Sequence, residues 1–528
     1  MRNAGLLIGF LFTVTFLPAQ TPVDVQHYRF HINLSDQHDT ISGIADIRHV
    51  WLSAGDRLQL DLAGVNAKGK GMLVSKVEGR GVSRFEHRDN RIQVEFQQEY
   101  KAGDTATISV HYKGIPADGL IISKTKYGNR SFFADNWPNR GHNWIPCIDV
   151  PADKATVEFI VTAPQAYQVV ANGIQVEETN LPEAMKRTHW KESVPVSTKV
   201  MVIGVARFAM QLSGVVDSCI PVYSWVYPED RDKGFFDYAQ AVEILPWFID
   251  KIGPYAYGKL ANVESKTIFG GLENANTIFY SESSVTGTRK SESLLVHEIA
   301  HQWFGNMATE KTFAHLWLSE GFATYMTILY MEDKYGYDTA RAMLMEDRDQ
   351  VIRYSKRSKS SVVDETADYM ELLNPNSYQK GGWVLHMLRR QLGDEVFWKA
   401  IREYYAAYGG KTADTEDLQH VFEKVSGKKL GAFFRQWLYT PGQPALDLEW
   451  EYNEKKKELV IHLKQNGPVF EFPLDIAVKD SSGHLSYYDT MVSGAEKKWV
   501  LTHSAPPAEI LPDPTVSLLF QATLKKGD

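Results

Sequence analysis

The sequence predicts a multidomain α+β protein, on three observations. Between about residues 22 and 215 apolar residues recur at every second position; between about 221 and 441 they recur at spacings of three and four; after Pro441-Gly442 the two-residue alternation returns. The expected organisation is an N-terminal all-β domain (20–215), a helix-rich α+β domain (216–443) and a C-terminal β-sandwich (444–528). A chain of 528 residues has room for about three or four domains.

Each element has its own signal. Met1-Arg2-Asn3, the apolar run Leu6 to Phe16 and then Leu17-Pro18-Ala19 follow the charged, apolar, small-residue order of a secretory leader, so residues 1–19 are expected to be a signal peptide and the protein to be exported, periplasmic or secreted. The apolar run is too short to span a bilayer. Tyr28, Phe30, Ile32 and Leu34, then Leu58, Leu60 and Leu62, Ile92, Val94 and Phe96, Ile108, Val110 and Tyr112, and Val157, Phe159 and Val161 read as half-buried strands. Helical spacing begins with Phe235, Tyr238, Ala239, Val242 and Leu245, and Pro246 is expected to kink or end that helix. Further helices are expected near 377–391, 394–408, 415–426 and 429–438. The basic run Arg353 to Lys359 reads as a solvated loop. Strands return at Leu446 and Leu448, at Leu459, Ile461 and Leu463, and at Leu474, Ile476 and Val478, the first two separated by a turn over 453–458.

Composition excludes several classes of function. The 57 basic against 65 acidic residues give a net charge of −8 without a basic block, which argues against nucleic-acid binding. Two cysteines, Cys147 and Cys219, are too few for a disulfide scaffold, and two free buried thiols are expected.

The chemistry is concentrated in His297-Glu298-Ile299-Ala300-His301. On a helix, positions i and i+4 share a face, so both imidazoles can hold one zinc ion while Glu298 faces what the ion binds. A third protein ligand is needed, and Glu320, after 18 intervening residues, supplies a carboxylate while leaving the fourth position to water. Apolar neighbours Leu294-Leu295-Val296 and Trp303-Phe304 put the motif on a buried segment, where an idle Glu298 would be costly.

These residues, together with Gly270-Gly271-Leu272-Glu273-Asn274, Tyr378 in Asn376 to Gly382, and Pro146-Cys147-Ile148-Asp149-Val150-Pro151, resemble the zinc aminopeptidases of the aminopeptidase N and leukotriene hydrolase family. The resemblance covers most of the chain. It implies a thermolysin-like catalytic domain and one zinc per chain on His297, His301 and Glu320, with Glu298 as general base and Tyr378 as oxyanion donor. It further implies that Glu273 binds the substrate's free ammonium, with Gly270 and Gly271 letting the strand edge approach the substrate. The partners implied are peptides with a free N-terminus.

Three departures from the family pattern stand out. Leu272 replaces the commoner Met. Trp137 occupies the position of a second amine-binding residue, so Asp135 or Asn136 is the candidate substitute, or the Trp137 ring lines the pocket instead. The helical C-terminal domain common in the family is not in this sequence, and a less enclosed cleft is expected. His315 and His386 are read as structural rather than as ligands. Alternative functions on the same fold are an inactive peptide-binding module, an epoxide hydrolase and an endopeptidase.

Overall fold

The computed structural model describes residues 22–527; the expected leader, 1–19, lies outside the described residues. The N-terminal region is built on a seven-stranded sheet in the order Ile174–Leu181, Met185–Ser197, Lys154–Pro164, Val23–Asn33, Ile41–Trp51, Thr105–Ile115, Gly71–Gly79. All neighbours are antiparallel except Val23–Asn33 with Lys154–Pro164, which run parallel with Tyr28 opposite Val157 and Phe30 opposite Phe159. Alternation decides which face is covered: Tyr28, Phe30, Ile32, Val157, Phe159 and Val161 are all buried, and Phe30 stacks on Phe159 at 5.5 Å. Two smaller sheets close over this core, one of Gly55–Asp61, Arg91–Tyr100 and Val82–Arg88, the other of Gln168–Ala171, Ile203–Ala206, Arg130–Ala134 and Leu120–Lys124.

The next sheet has five strands in the order Ala209–Val216, Ile220–Val226, Leu260–Ser265, Thr277–Ser281, Gly271–Leu272. Ala209–Val216 therefore pairs into the sheet of the second region, and the boundary expected at 215 falls at the end of that region's first strand. Pro246 does not end its helix. The chain breaks earlier, at Ala239-Gln240 between helices Arg231–Tyr238 and Ala241–Lys251, and Pro246 sits inside the second, removing one backbone donor. Helices Gly381–Leu392, Asp394–Tyr408, Thr415–Ser426 and Gly431–Leu438 lie where the spacing places them. The basic run starts in the last turn of helix Tyr337–Ser355, where cations meet the negative end of the helix.

The C-terminal region is two sheets, one ordered Glu496–Thr502, Glu458–Gln465, Ala445–Asn453, Gln521–Lys526 and one ordered Leu485–Val492, Phe472–Asp480, Pro507–Pro512. Their inward residues Leu446, Leu448, Ile461, Leu474, Ile476 and Val478 are buried, as a sandwich requires. Among the described residues no helix is long and apolar enough to cross a membrane.

Polar contacts tie the first two regions together. Lys199 and Glu310 form an ion pair with both side chains buried, and Lys154 Nζ donates to the carbonyls of Asn306 at 3.0 Å and Met307 at 2.6 Å. Cys147 is free and buried, whereas Cys219, in the turn between two strands, is free and exposed. The expectation of a second buried thiol is thereby corrected: an apolar-leaning residue type does not override a turn position at the surface.

Candidate functional site

Helix Glu292–Ala300 carries His297 and Glu298, and His301 follows with helical backbone angles and donates its N–H to the His297 carbonyl at 3.3 Å. The i, i+4 geometry therefore persists across the helix end. Helix Trp317–Tyr335 carries Glu320 in its first turn. His297 Nε2 and His301 Nε2 are 3.2 Å apart, and each lies 3.3 Å from Glu320 Oε2. A tetrahedral ion with donors at about 2.0–2.1 Å spaces neighbouring donors about 3.3 Å apart, so the three atoms already form one face of a zinc coordination tetrahedron. Among the described residues this is the one group of three His, Cys, Asp or Glu side chains close enough to hold a metal.

The surroundings fit the same ion. His301 Nδ1 lies 3.1 Å from the Phe304 carbonyl and 3.0 Å from Ser319 Oγ; a carbonyl only accepts, so Nδ1 bears the hydrogen and Nε2 offers its lone pair. Burial pulls His301 down, but Glu320, with Glu273 and Glu298, outweighs it and pushes the imidazole up to about 10. At Glu320 burial is likewise outweighed, and His301 and His297 hold the carboxyl well below its usual range. A proton held this tightly among three donors is what a divalent cation displaces.

Burial pushes the Glu298 carboxyl well above the usual range; His301 opposes this, while Glu273 and Glu320 add to it. Gly271 is shaped to this residue: a Cβ there would come within 2.1 Å of Glu298 Oε1. The glycine thus makes room for Glu298, a role distinct from the strand-edge approach expected of the Gly pair. At Gly270 the nearest atom to such a Cβ is Leu294 Cδ1 at 3.9 Å, so there the space is open.

Tyr378 lies in the π-helical turn Asn376–Lys380, and its ring stacks on His297 at 6.0 Å and 12°. What brings it there is a backbone contact between helices: a Cβ on Gly321 would lie 2.8 Å from the Gly381 backbone, so only two glycines allow Trp317–Tyr335 and Gly381–Leu392 to touch. Burial, then Glu320, Glu273 and Glu298, pushes the Tyr378 hydroxyl well above its usual range, which keeps it a neutral donor.

Glu273 follows the edge strand Gly271–Leu272 and is buried. Its carbonyl accepts from Asn306 Nδ2 at 2.7 Å and Gln302 Nε2 at 3.1 Å, while its carboxylate Oε1 has no hydrogen-bond partner among the described residues. Glu273, Gly270, Gly271, Glu298, Tyr378 and the three metal-ligand candidates line one cavity of about 250 Å³, together with Trp137, Phe269, Leu272, Leu294 and Leu373. A larger cavity of about 610 Å³ between Phe433, Trp437 and Phe472 lies away from this chemistry.

Asp135 is not among the residues lining the site. Its carboxylate pairs with Arg140 and accepts from Thr267 Oγ1 and from the Ile268 N–H, both at 3.2 Å, so the expectation that it helps bind an amine is corrected: its oxygens are already committed. Asn136 is committed too, donating to the carbonyls of Met201 and Thr198. Trp137 is the residue of this segment that reaches the cavity. His315 Nδ1 meets Thr415 Oγ1 at 2.9 Å, and His386 meets Tyr325 and the Val516 carbonyl, both structural contacts. Leu294, Ser319 and Leu373 escaped the sequence reading. Leu294 sits one turn before His297 and was findable from helical spacing; nothing in the sequence marks Leu373.

Two family descriptions match this chain: the peptidase M1 N-terminal domain over residues 24–200 and the peptidase family M1 domain over residues 236–437. Aminopeptidase M1-C of Oryza sativa subsp. japonica is 27% identical over 439 residues, covering 78% of this chain and 48% of the rice protein. Probable aminopeptidase 2 of Sulfurisphaera tokodaii is 27% identical over 451 residues, covering 81% and 56%, and human glutamyl aminopeptidase is 26% identical over 484 residues, covering 84% and 49%. The chain spans about half the length of the curated relatives it matches. With both domain descriptions matched in order and the His-His-Glu group inside the second, the chain belongs to peptidase family M1.

Proposed function

We propose that this protein is a zinc-dependent aminopeptidase that removes single residues from the free N-terminus of peptides. One observation carries the reading: the 3.2–3.3 Å triangle of His297, His301 and Glu320 donors opens on the same cavity as two further carboxylates, Glu298 and Glu273. Zinc held by the three would supply Lewis acidity, activating water and polarising the scissile carbonyl.

The remaining work falls to the chain's own groups. The Glu298 carboxylate takes the proton of the attacking water and delivers it to the leaving amine, a role contributing about a hundred- to ten-thousandfold. The Tyr378 hydroxyl donates to the oxygen that gains charge as the carbonyl becomes tetrahedral. Glu273, with an unpartnered oxygen, accepts from the substrate ammonium and so fixes cleavage one residue from the end. The charged, apolar, small order of residues 1–19 supports action outside the cytoplasm.

The test is a panel of aminoacyl fluorogenic amides with and without chelator, alongside N-acetylated counterparts. Chelator-sensitive cleavage of the free-amine compounds alone is expected. Equal cleavage of blocked compounds would make the protein an endopeptidase, and cleavage indifferent to chelator would remove zinc from the reading.

A further inference from the structure

Apart from the groups assigned to hydrolysis and amine recognition, the walls of the 250 Å³ cavity are mostly carbon: Trp137, Phe269, Leu272, Leu294 and Leu373. We propose that Trp137 sets the substrate class of this site, admitting uncharged N-terminal residues up to about the size of Leu or Met and excluding aromatic and acidic ones, an inference that rests on the aminopeptidase reading above.

Size comes first. At about 250 Å³ the cavity lies below the roughly 300–1,000 Å³ usual for ligand pockets, and the backbone atoms of an N-terminal residue take part of it. The aliphatic side chain of Leu or Met asks less of the remaining space than the ring of Phe.

The wall is also rigid. Trp137 is 2% exposed, and its ring meets the edges of Phe269 at 6.0 Å and Phe313 at 5.9 Å. Phe313 is backed in turn by Tyr369 at 4.6 Å. The Trp137 carbonyl is held by Arg140 Nε at 2.7 Å. A tightly packed indole has no space into which to swing aside for a bulkier substrate.

Charge completes the selection. Among the described residues no Lys or Arg lines the cavity, while Glu273, Glu298 and Glu320 do. Arg140 stands over Phe269 and is committed to Asp135 and Asp118, and Lys199 beside Phe313 is committed to Glu310. Apart from the zinc that the aminopeptidase reading commits to water and the scissile carbonyl, an N-terminal Asp or Glu side chain would meet three acidic side chains and no protein cation among the described residues. Relatives named glutamyl aminopeptidase are about as similar as the others, so similarity alone does not yield this exclusion.

The experiment compares kcat/KM for leucyl, phenylalanyl and glutamyl amides on the wild type and on Trp137→Ala. The wild type is expected to favour Leu over Phe by about tenfold or more, and over Glu by about a hundredfold or more. Trp137→Ala should cut the Leu-to-Phe ratio about tenfold while leaving the Leu-to-Glu ratio high, because the variant gains space but no cation. Trp137→Leu, which keeps the wall apolar, should give an intermediate ratio and serves if the alanine variant does not fold. Equal use of Leu and Phe by the wild type, or Leu-to-Phe ratios unmoved in both variants, would overturn the role of Trp137 while leaving the aminopeptidase reading intact. Absence of turnover on every free-amine substrate would overturn both.

Discussion

Glu273 and Asp135 are both buried carboxylates near the join of the first two regions, and their surroundings treat them in opposite ways. Asp135 is fully buried and receives Arg140, Thr267 and the Ile268 N–H. Glu273 faces the cavity, and its Oε1 has no hydrogen-bond partner among the described residues. Leaving a buried carboxylate oxygen unmatched costs stability, so such a group is retained where something outside the chain completes it. The satisfied carboxylate fastens the fold, and the unsatisfied one is free to bind.

The contrast can be broken from several directions. The largest effect belongs to Glu298, also short of internal partners: Glu298→Gln should lower kcat by about a hundred- to ten-thousandfold while zinc content by elemental analysis stays at one per chain. Glu273→Ala should weaken hydrolysis of free-amine substrates by about 2–5 kcal/mol in transition-state binding and scarcely alter residual cleavage of acetylated ones; equal losses on both would make Glu273 structural. Asp135→Asn should do the reverse, lowering unfolding free energy in denaturant titration by about 3 kcal/mol or less, since its partner Arg140 is part-exposed, with little change in the preference for a free amine. A selective loss of free-amine turnover in Asp135→Asn would dissolve the distinction.

A pH dependence tests the same rule on a cation. Lys380 donates to the carbonyls of Gly442 at 2.6 Å and Thr440 at 3.2 Å, and burial pulls its ammonium down to about 7. Since the unfolded chain holds that proton up to its ordinary range near 10.5, the unfolded state binds more protons between pH 7 and 10.5, and this group makes stability rise with pH across that window. Lys380→Met should flatten the rise. A difference between wild type and variant that does not change from pH 7 to 9.5 would mean the lysine stays charged in the fold.

How much of this was legible follows from how far apart the cooperating residues lie. His297 and His301 share a helix face, so spacing alone pairs them, and strand alternation put Tyr28, Phe30 and Val157 in the core correctly. Tyr378 reaches His297 only because Gly321 and Gly381 let two helices touch, a tertiary fact without a local pattern. Gly271 has a second role that its sequence neighbourhood does not show: its missing Cβ accommodates Glu298, 27 positions later. Asp135 misled because residue type suggests charge but never whether the charge is already spent on Arg140. Pro246, expected to kink or end its helix, does not end it: Ala241–Lys251 runs through it.

The lysine of the first region that reaches Asn306 and Met307 bears on whether the second region could work alone. Lys154 Nζ grips the turn just after His301, and within that turn the Asn306 amide holds the Glu273 carbonyl. The N-terminal region thus reaches through two hydrogen-bonded links to Glu273. Although the two family descriptions match separately, the second region is therefore expected to depend on the first for the placement of Glu273. Grafted onto a foreign N-terminal domain, it would keep its three metal-ligand candidates, which lie on its own helices, and lose register at Glu273. Such a chimera should bind zinc and yet misjudge where the peptide begins.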